Sequence, residues 1–219
     1  MNSDSPADLA ALMCSRLCHD LLSPVGAMTN GLELLADETD PQMRQQCMEL
    51  LEQSAKTSAD KLKFFRLAYG AAGGFGEMVE VGDAKDAIET LVQNAKRVEV
   101  HWALDTAKLP KDAVKVLLNL AHIALDALVR GGSLDIGAEM REGNTEIVVR
   151  ASGAKLAFDE TIGQALQNDL PVSEISSRTA PAYMIAQLAE RIGGGLQYQM
   201  TDDALILGAV LPQPSGLIG

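Results

Sequence analysis

Apolar residues recur at alternating steps of four and three through the first helical segment of the chain. This spacing is typical of a helix that packs along one stripe of its surface. The stripe consists of Cys14, Cys18, Leu21, Val25, Met28, Leu32 and Leu35. The pattern predicts one long helix over residues 7–37, followed by the short connection Glu38-Thr39-Asp40-Pro41. Asp40 is the expected N-cap of the next helix, and Pro41 its first residue.

The second helix is predicted from Pro41 to about Tyr69, where apolar positions again fall three or four apart. Two helices joined by so few residues must turn back antiparallel, and each would be roughly 45 Å long. A single hairpin of this kind buries little apolar surface. We therefore predict that it pairs with a second copy of the chain, which gives a homodimer with a four-helix bundle.

Four glycines in the segment 70–76 interrupt the helical pattern. We interpret this segment as a linker. A glycine-rich phosphate loop is the alternative, but no Lys-Ser or Lys-Thr pair follows it, as a phosphate loop requires. The predicted organisation is a helical hairpin over residues 1–72 for dimerisation and phosphotransfer, a linker over 73–78 and an α/β domain over 79–219.

Beyond the linker, short alternating segments are interspersed with amphipathic ones, which predicts a mixed sheet with helices on one face. Predicted strands are 78–81, 98–104, 133–140, 145–151, 196–200 and 205–211, and predicted helices are 83–95, 110–128, 158–166 and 180–192. The fold class is therefore α + α/β, a long antiparallel hairpin followed by an α/β sandwich.

The composition narrows the range of partners and locations. The chain of 219 residues is 47% hydrophobic, 4% aromatic and carries a formal net charge of −12. This acidity argues against nucleic-acid and anionic membrane partners, which are bound through Lys and Arg. No run of 18 apolar residues and no signal peptide is visible, so a cytoplasmic location is expected. Three cysteines (Cys14, Cys18, Cys47) on apolar helix faces suggest reduced core thiols, and no metal site is expected.

His19 is the candidate for chemistry in the first helix. On a helical wheel it lies roughly 200° from the centre of the apolar stripe, so its imidazole is expected to be exposed. Asp20 follows it directly and can bind the proton of one ring nitrogen, which leaves the other free to attack phosphorus. Pro24 has no N–H, so the carbonyl of Asp20 loses its usual helical partner. An ordinary surface histidine is the alternative.

The face around His19 is polar at points and otherwise made of small residues, which suits the docking of a partner helix. Arg16 could also steady the charge of a transferring phosphoryl group. The predicted catalytic residues are His19 and Asp20. The predicted docking residues are Arg16, Ser23, Pro24, Ala27 and Asn30.

The sequence His19-Asp20-x-x-x-Pro24 resembles the H-box of two-component histidine kinases, and the second domain resembles the kinase ATP-binding domain in its order of elements. The nucleotide boxes, however, depart from the kinase pattern. Ile123 stands in place of the magnesium-binding asparagine, Ala151 in place of the adenine-reading aspartate, and Lys155 in place of a glycine; Pro181 and Tyr183 would crowd the second glycine-rich box. Because phosphoryl transfer from ATP needs the metal and its charge, we expect no ATP-dependent kinase activity.

The segment from Arg16 to Leu35 is similar to the signature helix of the ChpT-type histidine phosphotransferases of alphaproteobacterial cell-cycle phosphorelays. The resemblance implies that His19 accepts a phosphoryl group from the receiver aspartate of a hybrid kinase and passes it to response regulators, such as CtrA-like and CpdR-like receivers. It implies that Mg²⁺ is held by the receiver, with no cofactor on this chain. A phosphate-independent scaffold or pseudokinase, and an active kinase with a divergent nucleotide site, are the alternatives.

Overall fold

The chain folds into a helical hairpin followed by a region of strands and helices. The computed structural model describes residues 6–70, 78–94 and 97–213. Within them the helices are α1 (Pro6–Asp37), α2 (Pro41–Tyr69), α3 (Val81–Asn94), α4 (Lys111–Ala127), α5 (Glu160–Leu166) and α6 (Ala180–Arg191), with a 3₁₀ turn at Val172–Glu174. The strands are β1 (Met78–Glu80), β2 (Val98–Leu104), β3 (Lys108–Pro110), β4 (Gly132–Arg141), β5 (Asn144–Ser152), β6 (Gly195–Met200) and β7 (Ala204–Pro212). In this part of the chain, none of the helices has both the length and the apolarity needed to cross a bilayer.

The turn between α1 and α2 forms as its sequence predicts. The Asp40 side chain accepts a hydrogen bond of 3.0 Å from the backbone N–H of Gln42, and Pro41 occupies the first turn of α2. The cap satisfies one of the N–H groups that have no partner within a helix, and proline loses nothing there because its missing N–H would be unpaired. The chain reverses over three residues, and α2 packs along α1.

Small residues of α1 face α2. Pro24 and Gly31 are buried in the hairpin. A side chain at Gly31 would lie 3.1 Å from the Leu51 Cδ2 atom, closer than ordinary van der Waals contact. Glycine therefore lets the two helix backbones approach at this level.

The apolar stripe of α1 is only partly covered within this chain. Its members Leu21, Met28 and Leu35 are partly buried, and the other four are exposed on this chain, namely Cys14, Cys18, Val25 and Leu32. Within the single chain, Cys14 and Cys18 are exposed and are not core thiols as predicted, because they lie on this uncovered face, whereas the predicted burial of Cys47 is confirmed.

The second region is built on a mixed sheet, as predicted. Among the described residues, a five-stranded sheet has the order β2-β4-β5-β7-β6, in which β2 and β4 are parallel and the other pairs antiparallel. Along β5, Ile147, Val149 and Ala151 are buried, whereas Val148 and Arg150 are exposed. This alternation places α4 on the inner face and leaves the outer face to solvent.

Element boundaries differ from the predictions where a local contact decides them. Helix α3 begins at Val81 rather than Asp83, and the Val81 N–H donates to the Ala107 carbonyl at 2.9 Å. Helix α5 begins at Glu160 rather than Phe158, because Asp159 caps it by accepting from the Thr161 N–H. Strand β3 was not predicted, since only its pairing with β1 defines these three residues. The predicted linker lies outside the described residues except for Met78, which begins β1.

The hairpin and the second region share one hydrophobic core. Phe64, Phe65 and Ala68, near the end of α2, are buried in the same cluster as the inner face of α4. The Phe64 ring meets the His122 ring of α4 edge to face, with centroids 5.0 Å apart. Burial lowers the pKa of the His122 imidazole, which favours the neutral ring in this apolar contact.

Replacement of Phe64 tests whether this shared core governs stability. We expect Phe64→Ala to lower the free energy of unfolding by about 3–5 kcal/mol, since it removes a fully buried aromatic side chain and leaves a cavity. The measurement is urea unfolding followed by circular dichroism at fixed protein concentration. Val129→Ala, at an exposed apolar position after α4, is the control and should change stability by less than about 0.5 kcal/mol. Equal stabilities of the two variants would contradict the assignment.

Candidate functional site

His19 projects from α1 into solvent. Its side chain is 82% exposed, and the ring Nδ1 lies 3.2 Å from the Asp20 Oδ1 atom. A carboxylate at this distance favours the tautomer in which Nδ1 carries the proton and donates it. The second ring nitrogen, Nε2, is then the basic one and has a lone pair available for a nucleophilic reaction.

Asp20 is held from two sides. Its side chain is only 13% exposed, and its Oδ2 atom accepts a hydrogen bond of 2.8 Å from the Arg16 Nε–H, one helical turn earlier. The two carboxylate oxygens therefore have different partners, Arg16 and His19. Hydrogen bonds between ionised groups are short and strong, so this pair fixes the orientation of the carboxylate beside the imidazole.

Arg16 links the hairpin to α4. Its guanidinium is 20% exposed, and its Nη2 atom lies 3.3 Å from the Oδ2 atom of Asp126. Burial lowers the pKa of Arg16, but the charges of Asp20 and Asp126 outweigh this effect, so the pKa is raised and the side chain is a cation. The position of Arg16 on the His19 face predicts a role in docking, where its guanidinium would meet a phosphoryl group. In the structure its guanidinium is instead committed to two carboxylates of the same chain.

A lysine of α2 compensates for the helix-interior proline. Pro24 cannot donate to the Asp20 carbonyl, and the Lys61 Nζ atom donates to that oxygen at 2.7 Å. The loss of the helical partner follows from the sequence, but the replacement does not, since the pair is 41 residues apart. Pro24 itself is buried between the helices and is therefore not part of the exposed surface around His19.

The other predicted docking residues do share the face of His19. Ser23 and Asn30 are exposed, and Ala27 is partly exposed. At 100° per residue, all three lie on the same side of α1 as His19. The structure thus keeps a surface of small and polar side chains beside the imidazole and removes Arg16 and Pro24 from it.

A narrow cleft lies between α4, α5 and α6, where the resemblance to kinases would place the nucleotide. It has a volume of about 60 Å³, well below the ~300 Å³ at the lower limit of typical small-molecule sites. Ile123 and Pro181 line it, and an ion pair of 3.1 Å joins Asp159 to Arg178 at its edge. Ala151 is fully buried in β5. In the part of the chain that the structure covers, no three His, Cys, Asp or Glu side chains are grouped so as to hold a metal ion.

The sequence reasoning missed two residues around His19, Lys61 and Asp126. The contact of Asp126 with Arg16 spans 110 residues, so no local sequence pattern indicates it. One signal for Lys61 was available, since a helix-interior proline leaves a carbonyl that requires a donor. Nothing in the sequence shows which residue of α2 supplies it.

Three comparisons with known proteins agree with this architecture. Residues 81–204 match the family described as "Histidine phosphotransferase C-terminal domain". Protein phosphotransferase ChpT of Brucella abortus (strain 2308) is 35% identical over 209 residues, which cover 94% of this chain and 96% of that protein. A solved bacterial phosphotransferase is 33% identical, with a TM-score of 0.81 over 94% of this chain and 97% of the other.

The solved structures with lower similarity include the histidine kinase AdeS of Acinetobacter baumannii, at 12% identity and a TM-score of 0.49 over 90% of this chain and 98% of that chain. The ChpT relative and the family match together extend over nearly the whole chain. This agreement confirms the resemblance that the segment around His19 indicates. The chain belongs to the histidine phosphotransferase family that includes ChpT.

Proposed function

We propose that His19 receives a phosphoryl group from the receiver-domain aspartate of a hybrid kinase and passes it to receiver aspartates of response regulators, without ATP. The observation that carries the proposal is the exposed His19 imidazole with Nδ1 next to the oriented Asp20 carboxylate. Membership of the histidine phosphotransferase family supports the reaction class. The resemblance to ChpT-type relays supports CtrA-like and CpdR-like receivers as the acceptors.

The proposed step is a displacement at phosphorus. The Nε2 lone pair of His19 forms the new N–P bond while the P–O bond to the receiver aspartate breaks, and the aspartate leaves as a carboxylate. The imidazole gains positive charge, which the hydrogen bond from Nδ1–H to Asp20 stabilises. Transfer to the second receiver reverses these bond changes. Mg²⁺ in the acidic pocket of each receiver would neutralise the charge on the phosphoryl oxygens.

The cleft of the second region supports independence from ATP. The aliphatic side chain of Ile123 cannot bind a metal ion, and the methyl group of Ala151 cannot form a hydrogen bond with adenine. The small volume of the cleft adds a steric argument to these chemical ones. In this proposal the second region supports the hairpin, with which it shares a core, and does not bind a nucleotide.

The exposed apolar surface of the hairpin supports a homodimer. Large apolar side chains are exposed on both α1 and α2, namely Leu22, Val25, Leu32, Leu34, Met43, Met48, Leu50 and Leu62. This many exposed large apolar side chains on the hairpin of an acidic chain favour association with a second hairpin. We propose that the two hairpins form a four-helix bundle, with His19 on its outer surface and open to receivers at Ser23, Ala27 and Asn30.

The first test is transfer to His19 without ATP. A radiolabelled, phosphorylated receiver domain of a hybrid kinase should label this protein, and the label should be labile to acid and stable to base. His19→Ala should abolish labelling, because no other nucleophile replaces the imidazole. The control is His101→Ala, an exposed histidine of β2 that pairs with Asp135 and should leave labelling unchanged. If phosphorylated receivers bind the wild-type protein but transfer no label to it, the result would favour a phosphate-independent scaffold instead.

The second test concerns the nucleotide. Titration calorimetry with Mg-ATP should give no saturable binding up to about 1 mM, a concentration that would detect an interaction of roughly −4 kcal/mol. An active histidine kinase domain is the positive control. Saturable binding together with label on His19 from radiolabelled ATP would support the divergent kinase instead.

The third test concerns the dimer. Leu32→Glu should shift the protein toward monomer in light scattering coupled to size-exclusion chromatography, because a carboxylate would be buried in the apolar seam. Val148→Glu places the same charge at an exposed valine on the outer face of the sheet and should leave the mass unchanged. A wild-type protein that elutes as a monomer at micromolar concentration would contradict the proposed bundle.

A further inference from the structure

Three contacts join α4 to the imidazole of His19. The Asp126 Oδ2 atom lies 3.3 Å from the Arg16 Nη2 atom, and the Arg16 Nε atom lies 2.8 Å from Asp20 Oδ2. The third contact, of 3.2 Å, joins Asp20 Oδ1 to His19 Nδ1. Asp126 is the only member of this chain of contacts that does not belong to α1. A carboxylate of the second region is therefore two side chains away from the phosphoacceptor.

The planar guanidinium of Arg16 couples the positions of its two carboxylate partners, Asp126 and Asp20. Nε and Nη2 are bound to the same carbon of Arg16, so a partner on one nitrogen restricts the direction of the other. The Arg16 and Asp20 side chains are mostly buried, which limits competition from water. If Asp126 loses its charge, Arg16 keeps Asp20 as its one charged partner and its plane is free to rotate about that contact.

The charges of Asp126, Arg16 and Asp20 also favour an effect of Asp126 on His19. One guanidinium between two carboxylates leaves a net charge of −1 on the group. A second carboxylate on Arg16 means that the negative charge of Asp20 is less fully neutralised by the arginine. The Asp20 carboxylate can then stabilise the His19 ring more strongly as the ring becomes positively charged during N–P bond formation.

We infer that Asp126 is a positioning residue for phosphoryl transfer at His19, and that it acts through Arg16 and Asp20. The inference rests on the proposed function and extends it, because it gives the second region a part in the chemistry of the hairpin. Two other titratable groups are near Asp126: His122, whose Nε2 atom lies 3.9 Å from Oδ1, beyond hydrogen-bond distance, and the buried phenol of Tyr69, which also feels the charges of Arg16 and Asp20 and is uncharged because burial raises its pKa. Arg16 is therefore the partner through which the effect passes.

The test compares Asp126→Asn with a matched variant of the same helix. Asp112→Asn removes the charge of another α4 carboxylate, which pairs with Arg191 at 3.5 Å and lies in the first turn of α4, at the opposite end of the helix from Asp126. Single-turnover transfer from a radiolabelled receiver domain is measured over a range of receiver concentrations. This gives a maximal rate and a half-saturating concentration for each variant.

Asp126→Asn should lower the maximal rate by about two- to fivefold, a modest effect because Asp126 is 58% exposed and the pair is screened by water. The half-saturating concentration should stay unchanged, and Asp126→Glu should recover part of the rate. Asp112→Asn should match wild type. A raised half-saturating concentration at an unchanged maximal rate would overturn the inference, since Asp126 would then contact the receiver. An equal loss in Asp112→Asn would overturn it too.

A second readout needs no phosphorylated partner. The nitrogen NMR shifts of the His19 ring report the balance between its two tautomers, and Asp126→Asn should move them while Asp112→Asn should not. His19→Ala identifies the signals. If wild type fails to transfer label but the shifts respond to Asp126→Asn, the proposed function fails and the coupling stands. If label is transferred and neither rate nor shifts respond, the coupling fails and the proposed function stands.

Discussion

The packing of the end of α2 against α4 determines where every other part of the site lies. Phe64 and Ala68 are fully buried there, and the Phe64 ring rests on His122. Because α2 is also paired with α1 along the hairpin, this contact fixes α1 relative to α4. Asp126 lies one helical turn after His122, and that register brings it to Arg16. A hairpin free to swing on a linker could not maintain this ion pair.

Two features inside the hairpin fix the local geometry of His19. Pro24 removes a helical hydrogen bond from the Asp20 carbonyl, and the Lys61 ammonium restores a partner with an ion–dipole hydrogen bond. Arg16 fixes the carboxylate of the same residue. Asp20 is therefore restrained at its backbone and at its side chain, whereas its neighbour His19 remains open to solvent. The proposed relay needs both properties, since the His19 ring would have to reach the partner's phosphoryl group while its tautomer stays fixed by Asp20.

The sequence was sufficient for features that depend on short spacing. The hairpin, the cap at Asp40, the mixed sheet and the exposure of His19 all follow from patterns within a few residues, and the structure confirms them. The sequence did not determine what covers the apolar stripe of α1. The same heptad spacing describes a helix that packs on its own hairpin and one that packs on a second molecule, and Cys14 and Cys18 lie on the uncovered side. Contacts such as Arg16–Asp126 depend on tertiary register, which no local pattern encodes.

In the proposed function the second region does no nucleotide chemistry, and the residues at which it departs from the kinase pattern contribute packing to the fold instead. A carboxylate at the position of Ala151 would be buried in β5 and would need a partner to offset its desolvation, whereas a methyl group packs there at no such cost. Ile123 likewise adds apolar contact at the wall of the cleft. Each replacement removes a group needed for ATP and adds packing. The region can then serve as a rigid support for α2, and in the proposed relay its remaining polar contribution to the chemistry is the carboxylate that holds Arg16.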